Sequence, residues 1–134
     1  MQSTAIHPFA DILNAAHNVW RYTEANDGGT FTRTGREVGD KIERWAVGGK
    51  EPGQVITLAG LTTEQIIQRI AAFIQQTPYT DGGTYIGTWI EDGSLYLDVV
   101  DLIPSVFEAI VLASQRKEKA IYNLHTHETY NLGI

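Results

Sequence analysis

Three groups of residues in this chain have side chains and spacings suited to chemistry. The first is Tyr85, Gly87, Trp89, Tyr96 and Asp98, spaced so that two strands meeting at Asp92-Gly93 would carry all five on one face. A glycine between two aromatic residues, with a carboxylate opposite it, makes a notch with aromatic walls and a polar floor. Such a notch suits a planar or cationic group, stacked on the rings and hydrogen-bonded to the carboxylate. The second group is His125-Thr126-His127. In a strand, residues i and i+2 share a face, so the two imidazoles would reach one divalent metal, with Glu128, His7, His17 or Asp98 completing the site. The third is the pair Asp98 and Asp101, able to do acid–base work if the fold raises one pKa. The plainer alternative has Asp98 hydrogen-bonded within the sheet and Asp101 in a turn before Pro104.

Other chemistries are poorly served. The chain has no cysteine, hence no disulfide, thiolate nucleophile or cysteine-ligated metal, which fits a cytoplasmic protein. The glycine pairs at Gly28, Gly48 and Gly82 match no phosphate-binding loop in strand–loop–helix context and read as connections. No serine sits in a nucleophile elbow, so no catalytic residue is assigned. A net charge of −6 with scattered basic residues argues against generic nucleic-acid binding. No apolar run reaches the roughly 20 residues of a membrane span, and the N-terminus lacks the pattern of a signal peptide.

The elements that must position these residues follow from periodicity. Asp92-Gly93 fits a two-residue type I′ turn, whose central residues both need positive φ. That turn sets the register: Glu91 opposite Ser94, Ile90 opposite Leu95, Trp89 opposite Tyr96, Thr88 opposite Leu97, Gly87 opposite Asp98 and Ile86 opposite Val99. The aliphatic face (Ile86, Thr88, Ile90, Leu95, Leu97, Val99) belongs to a core. Helices are predicted over residues 8–23, with Phe9, Ile12, Leu13, Ala16 and Trp20 on one side, and from a Thr62–Gln65 capping box through Ile66, Ile67, Ile70, Phe73 and Ile74 to Pro78 and Asp81-Gly82-Gly83. A third starts at the Ser105–Glu108 box and runs to about Lys117. It buries either Phe107, Ile110, Val111 and Ser114 or the neighbouring stripe through Ala109 and Ala113. Short strands are predicted over residues 30–34, 41–47, 54–58 and 120–124, with further pairing through Tyr130. The order α-β-β-β-α-β-β-α-β predicts one α+β domain over residues 1–134: a mostly antiparallel sheet with about three helices packed on one face.

Tyr85-Ile86-Gly87-Thr88-Trp89, Tyr96-Leu97-Asp98-Val99 and Ala120-Ile121-Tyr122-Asn123-Leu124, with a looser upstream match at Arg44-Trp45-Ala46-Val47-Gly48-Gly49, resemble uncharacterised small proteins of bacteriophages and actinobacterial mobile elements. The chain departs from that pattern at His125-Thr126-His127, where acidic and small residues are usual. The resemblance carries no activity and no site residues; it implies an accessory protein working inside a bacterial cell.

The expectation is therefore a binding protein. Tyr85, Gly87, Trp89, Tyr96 and Asp98 would engage a host protein or sequester a small ligand, as in anti-defence. A helix can cover only one face of the hairpin. The aromatic face is then open, covered by the N-terminal helix with Trp20 or the segment around Trp45, or closed by a second copy in a homodimer. The alternatives are a small metal-dependent hydrolase using His125 and His127, or a homo-oligomeric structural module.

Overall fold

Asp92 and Gly93 both take positive φ, 50° and 76°, and the hairpin they close is the centre of the fold. The computed structural model describes residues 8–38, 44–77 and 84–133. Strands Tyr85–Glu91 (β4) and Ser94–Ile103 (β5) pair in the predicted register, one step further than expected, to Tyr85 opposite Val100. Ahead of them come helix α1 (Pro8–Asn26), strands β1 (Gly28–Phe31), β2 (Trp45–Val47) and β3 (Gln54–Thr57), and helix α2 (Thr63–Gln76). Helix α3 (Val106–Gln115) and strands β6 (Ala120–Asn123) and β7 (Thr129–Asn131) follow. This is the α+β order predicted, with β7 supplying the pairing expected around Tyr130. All strand pairs are antiparallel, in the order β1-β4-β5-β2-β6-β7, with β3 also on β5.

Local chemistry sets the ends of the elements. Thr62 Oγ1 accepts from Gln65 N, and Gln65 Oε1 accepts from Thr62 N, so both arms of the α2 capping box form. At the other end, Arg33 Nη2 donates to Thr77 O and to Ile74 O, which also accepts from Thr77 N at the C-cap. Ser105 Oγ accepts from Glu108 N at the start of α3. Strand β1 lies earlier than the predicted 30–34, because Gly35 N donates to Thr32 O and the chain turns back so that Glu37 bridges Phe31. His7, the Phe9 side chain, residues 41–43, Pro78 and residues 81–83, all used in the sequence reading, lie outside the described residues.

The helices divide between two hydrophobic clusters. α1 and α2 enclose the larger one with Val19, Trp20, Ile70 and Ile74 against Phe31, Ile56, Ile86, Leu95, Leu97 and Val99, which includes the aliphatic hairpin face. α3 covers a smaller cluster of Val47, Ala109, Ala113 and Ile121. Of its two candidate stripes, the alanine one is buried: Phe107 is 72% exposed and Val111 is exposed. Two alanines let the helix backbone come close to β2 and β6. Among the described residues no helix is long and apolar enough to cross a membrane.

One polar contact ties the hairpin to α1. The buried hydroxyls of Thr23 and Thr88 are 2.6 Å apart. Thr23→Val alone strands the Thr88 hydroxyl and is expected to cost about 1–2 kcal/mol, whereas Thr23→Val with Thr88→Val is expected to be nearly neutral. Urea unfolding of the single and double variants checks this.

Candidate ligand groove

Strand β5 changes partner along one edge. Ser94–Leu97 pair with β3, and Asp101–Ile103 pair with β2. The connection between β2 and β3, residues 48–53, crosses the gap, where Lys50 N donates to Val99 O. Asp98 lies at this change-over. Its carboxylate accepts from Gly49 N at 3.2 and 3.3 Å and from Val99 N at 2.8 Å.

Glycines let the loop lie against that carboxylate. A Cβ on Gly48 would collide with Asp98 Oδ2 and stand 2.9 Å from Glu118 Oε1. Gly49 has φ 79°, and a Cβ there would stand 2.7 Å from Glu118 Oε2. Two carboxylates from distant parts of the chain thus meet over Gly48-Gly49, Asp98 from the sheet and Glu118 from the turn after α3.

Beside them, the register aligns Gly28, Trp89, Tyr96 and Val55 in one row across β1, β4, β5 and β3. Trp89 and Tyr96 stack with centroids 4.9 Å apart and planes within 1°. Trp89 is 41% exposed and Val55 57%. Between this row and residues 49–55 runs an open groove of about 570 Å³, whose lining includes Gly53, Val55, Trp89, Tyr96, Asp98 and Glu118.

The charges are arranged unevenly. Asp101 takes both nearby bases, Lys50 Nζ at 3.1 Å and Arg116 Nη2 at 2.6 Å. Arg116 also donates to Gly48 O and, at 3.4 Å, to Val47 O, while Lys50 reaches Thr84 Oγ1. Asp98 and Glu118 make no ion pair among the described residues. Burial pushes the Asp98 carboxyl above its ordinary 3.8, against the lowering effect of the Gly49 and Val99 N–H groups and of Arg116. Burial and then the Asp98 charge push Glu118 above its ordinary 4.5, with Arg116 opposing.

The folded chain therefore holds these protons more tightly than the unfolded chain. Their contribution to stability falls as pH rises from those ordinary values through the raised ones. Glu118→Gln removes one carboxylate from the pair. It is expected to stabilise the fold by about 0.5 kcal/mol at pH 7, the scale of a partly exposed charge interaction, with the gain vanishing near pH 4. Urea unfolding of both proteins at the two pH values measures it.

Of the five residues predicted for the contact face, Trp89, Tyr96 and Asp98 line the groove, and Tyr85 and Gly87 do not. The notch expected at Gly87 is filled: a Cβ there would stand 3.0 Å from Val100 Cγ1, and Gly87 is buried. The open space lies on the other side of Asp98, toward β3. Trp20 belongs to the larger cluster and Trp45 packs edge-on to Tyr130, so neither covers Trp89 and Tyr96. Asp101, predicted in a turn, is part of β5. The groove residues missed from sequence are Glu118 and the glycine loop, and the crowding of Gly48, Gly49 and Gly53 into one connection was the available signal.

His125 and His127 do not share a strand face. Residues 124–126 form a turn in which His125 N and Thr126 N donate to Asn123 Oδ1. His127 follows at φ 64°, its Nδ1 2.9 Å from the Tyr122 hydroxyl. Asn123 builds a connection from β6 to β7, so the two imidazoles do not lie on the single strand face that the metal reading requires. Among the described residues no group of three histidine or acidic side chains is placed to hold a metal ion.

No protein-family model, curated protein or solved structure matches the chain.

Proposed function

We propose that this protein works by binding, through the groove between the Trp89–Tyr96 stack and residues 49–55. The observation that carries the reading is the exposed tryptophan stacked on Tyr96 beside two carboxylates that make no ion pair among the described residues. Exposed aromatic surface next to polar groups is the usual anchor of an interface or ligand site. Carboxylates that are partly desolvated gain most from an incoming partner, because a bound cation replaces the water they have lost. The likeness of the hairpin to bacteriophage and mobile-element proteins supplies a setting: capture of a host protein or small ligand inside a bacterial cell, blunting a host defence.

The test is a melting-temperature screen of the wild-type protein against small cationic, neutral and anionic aromatic compounds, repeated with Trp89→Ala. Compounds that raise the wild-type melting temperature are expected to lose their effect on Trp89→Ala, whose circular dichroism spectrum should match the wild type. Effects that persist in Trp89→Ala, or the absence of any effect, would contradict the reading.

A further inference from the structure

The groove offers two kinds of surface at right angles in their chemistry. One is the flat aromatic stack of Trp89 on Tyr96, with Trp89 the exposed ring of the two. The other is the carboxylate pair over Gly48-Gly49, Asp98 from the sheet and Glu118 from the turn after α3, both packed against the glycine backbone. Glu51 adds a third acidic side chain to the rim. Arg116, the base that acts on both carboxyls, and Lys50, which also lines the groove, are each paired with Asp101.

A partner that satisfies both surfaces must be flat, positively charged and rich in N–H donors along its edge. An ammonium group has the charge without the plane. A neutral aromatic ring has the plane without the donors. A guanidinium has all three, with five donors in a rigid fork and a face that stacks on aromatic rings. The same loop already solves this problem internally: the Arg116 guanidinium divides its donors between the Asp101 carboxylate and the carbonyls of Val47 and Gly48.

We propose that the groove takes a guanidinium group, its N–H edge on Asp98 and Glu118 and its plane on the Trp89–Tyr96 stack. The assignment rests on the groove being a binding site. The group comes either from an arginine side chain of a partner protein or from a free small guanidinium compound.

Calorimetric titration of the full chain with the blocked tripeptide Gly-Arg-Gly tests it, against versions carrying lysine or the uncharged isostere citrulline. The arginine peptide is expected to bind at least tenfold more tightly than the citrulline peptide and several-fold more tightly than the lysine peptide. Glu118→Gln and Asp98→Asn are each expected to weaken the arginine peptide about tenfold while leaving citrulline unchanged. Glu118→Gln serves as the decisive variant should Asp98→Asn fail to fold. Methylguanidinium separates the sources: affinity equal to the peptide's assigns a small compound, and a tenfold deficit assigns a partner's arginine. Equal binding of arginine and citrulline, or arginine binding indifferent to Glu118→Gln, overturns the proposal. If neutral or anionic compounds give Trp89-dependent melting shifts and the arginine peptide does not bind, the guanidinium assignment falls and the groove stands. If nothing tested engages the groove, both fall.

Discussion

Asp101→Asn is expected to cost about 2–3 kcal/mol of stability and to weaken guanidinium binding at least tenfold, although Asp101 itself is not part of the groove lining. Its carboxylate is largely shielded from solvent and holds Arg116 and Lys50 at once. Removing the charge takes the ion-pair partner of the partly buried Arg116 and one partner of Lys50, the costly half of breaking such a network. The binding loss has a different cause. Arg116 already exerts a lowering influence on the Asp98 and Glu118 carboxyls. Freed from Asp101, it turns to those carboxylates and competes for the site as an internal guanidinium. Urea unfolding and calorimetric titration on the same preparation separate the two effects. Adding Glu118→Gln to Asp101→Asn should leave little further binding to lose.

Gly48→Ala is expected to cost about 2 kcal/mol and to abolish binding measurable in the wild type. Gly48 does not have positive φ, so the effect is steric and not conformational. The new methyl meets Asp98 Oδ2 and Glu118 Oε1 together. To make room, the loop or the two carboxylates must shift, and the Asp98 hydrogen bonds to Gly49 N are the contacts that stretch. The stability cost is that of overpacking a filled site. Gly60→Ala, where a Cβ would meet nothing within 4 Å but φ is 83°, is the control. It carries the backbone strain of a left-handed position and should leave binding intact. Melting temperature and arginine-peptide titration compare the two.

The hairpin was legible in the sequence because two independent signals agree there. Asp92-Gly93 selects the turn, and strict alternation then fixes every pair from Glu91–Ser94 onward. One further step of the same register, Tyr85 opposite Val100, places Val100 on the aromatic face and explains why the Gly87 notch is closed. Pro104 suggests a turn near Asp101, whereas β5 runs to Ile103. In α2 the capping box and the isoleucine stripe are equally unambiguous. In α3 they are not. Val106–Gln115 contains Glu108 as its one charged residue, so two adjacent apolar stripes compete, and closeness of approach to β2 and β6 chooses the alanine one.

The groove was half legible for a topological reason. Trp89, Tyr96 and Asp98 are local to the hairpin, and pairing rules alone bring them together. Glu118 reaches Asp98 only because α3 folds back beside β2, and residues 48–53 reach it only because β2 and β3 share one edge of β5. No periodicity within a strand or helix records such a meeting. His125 and His127 show the converse: an apparent strand-face pair dissolves once the Asn123 side chain organises a turn.

The groove account is tested most directly by the nuclear magnetic resonance spectrum of the protein during titration with the arginine tripeptide. Three indole N–H signals report from three environments: Trp20 in the larger hydrophobic cluster, Trp45 against Tyr130, and Trp89 at the groove. The Trp89 indole and the Gly49 and Gly53 amides are expected to move together and saturate at one concentration, while the Trp20 and Trp45 indoles stay in place. Movement at Trp45 without Trp89, or saturable binding that leaves all three indoles unmoved, would contradict it.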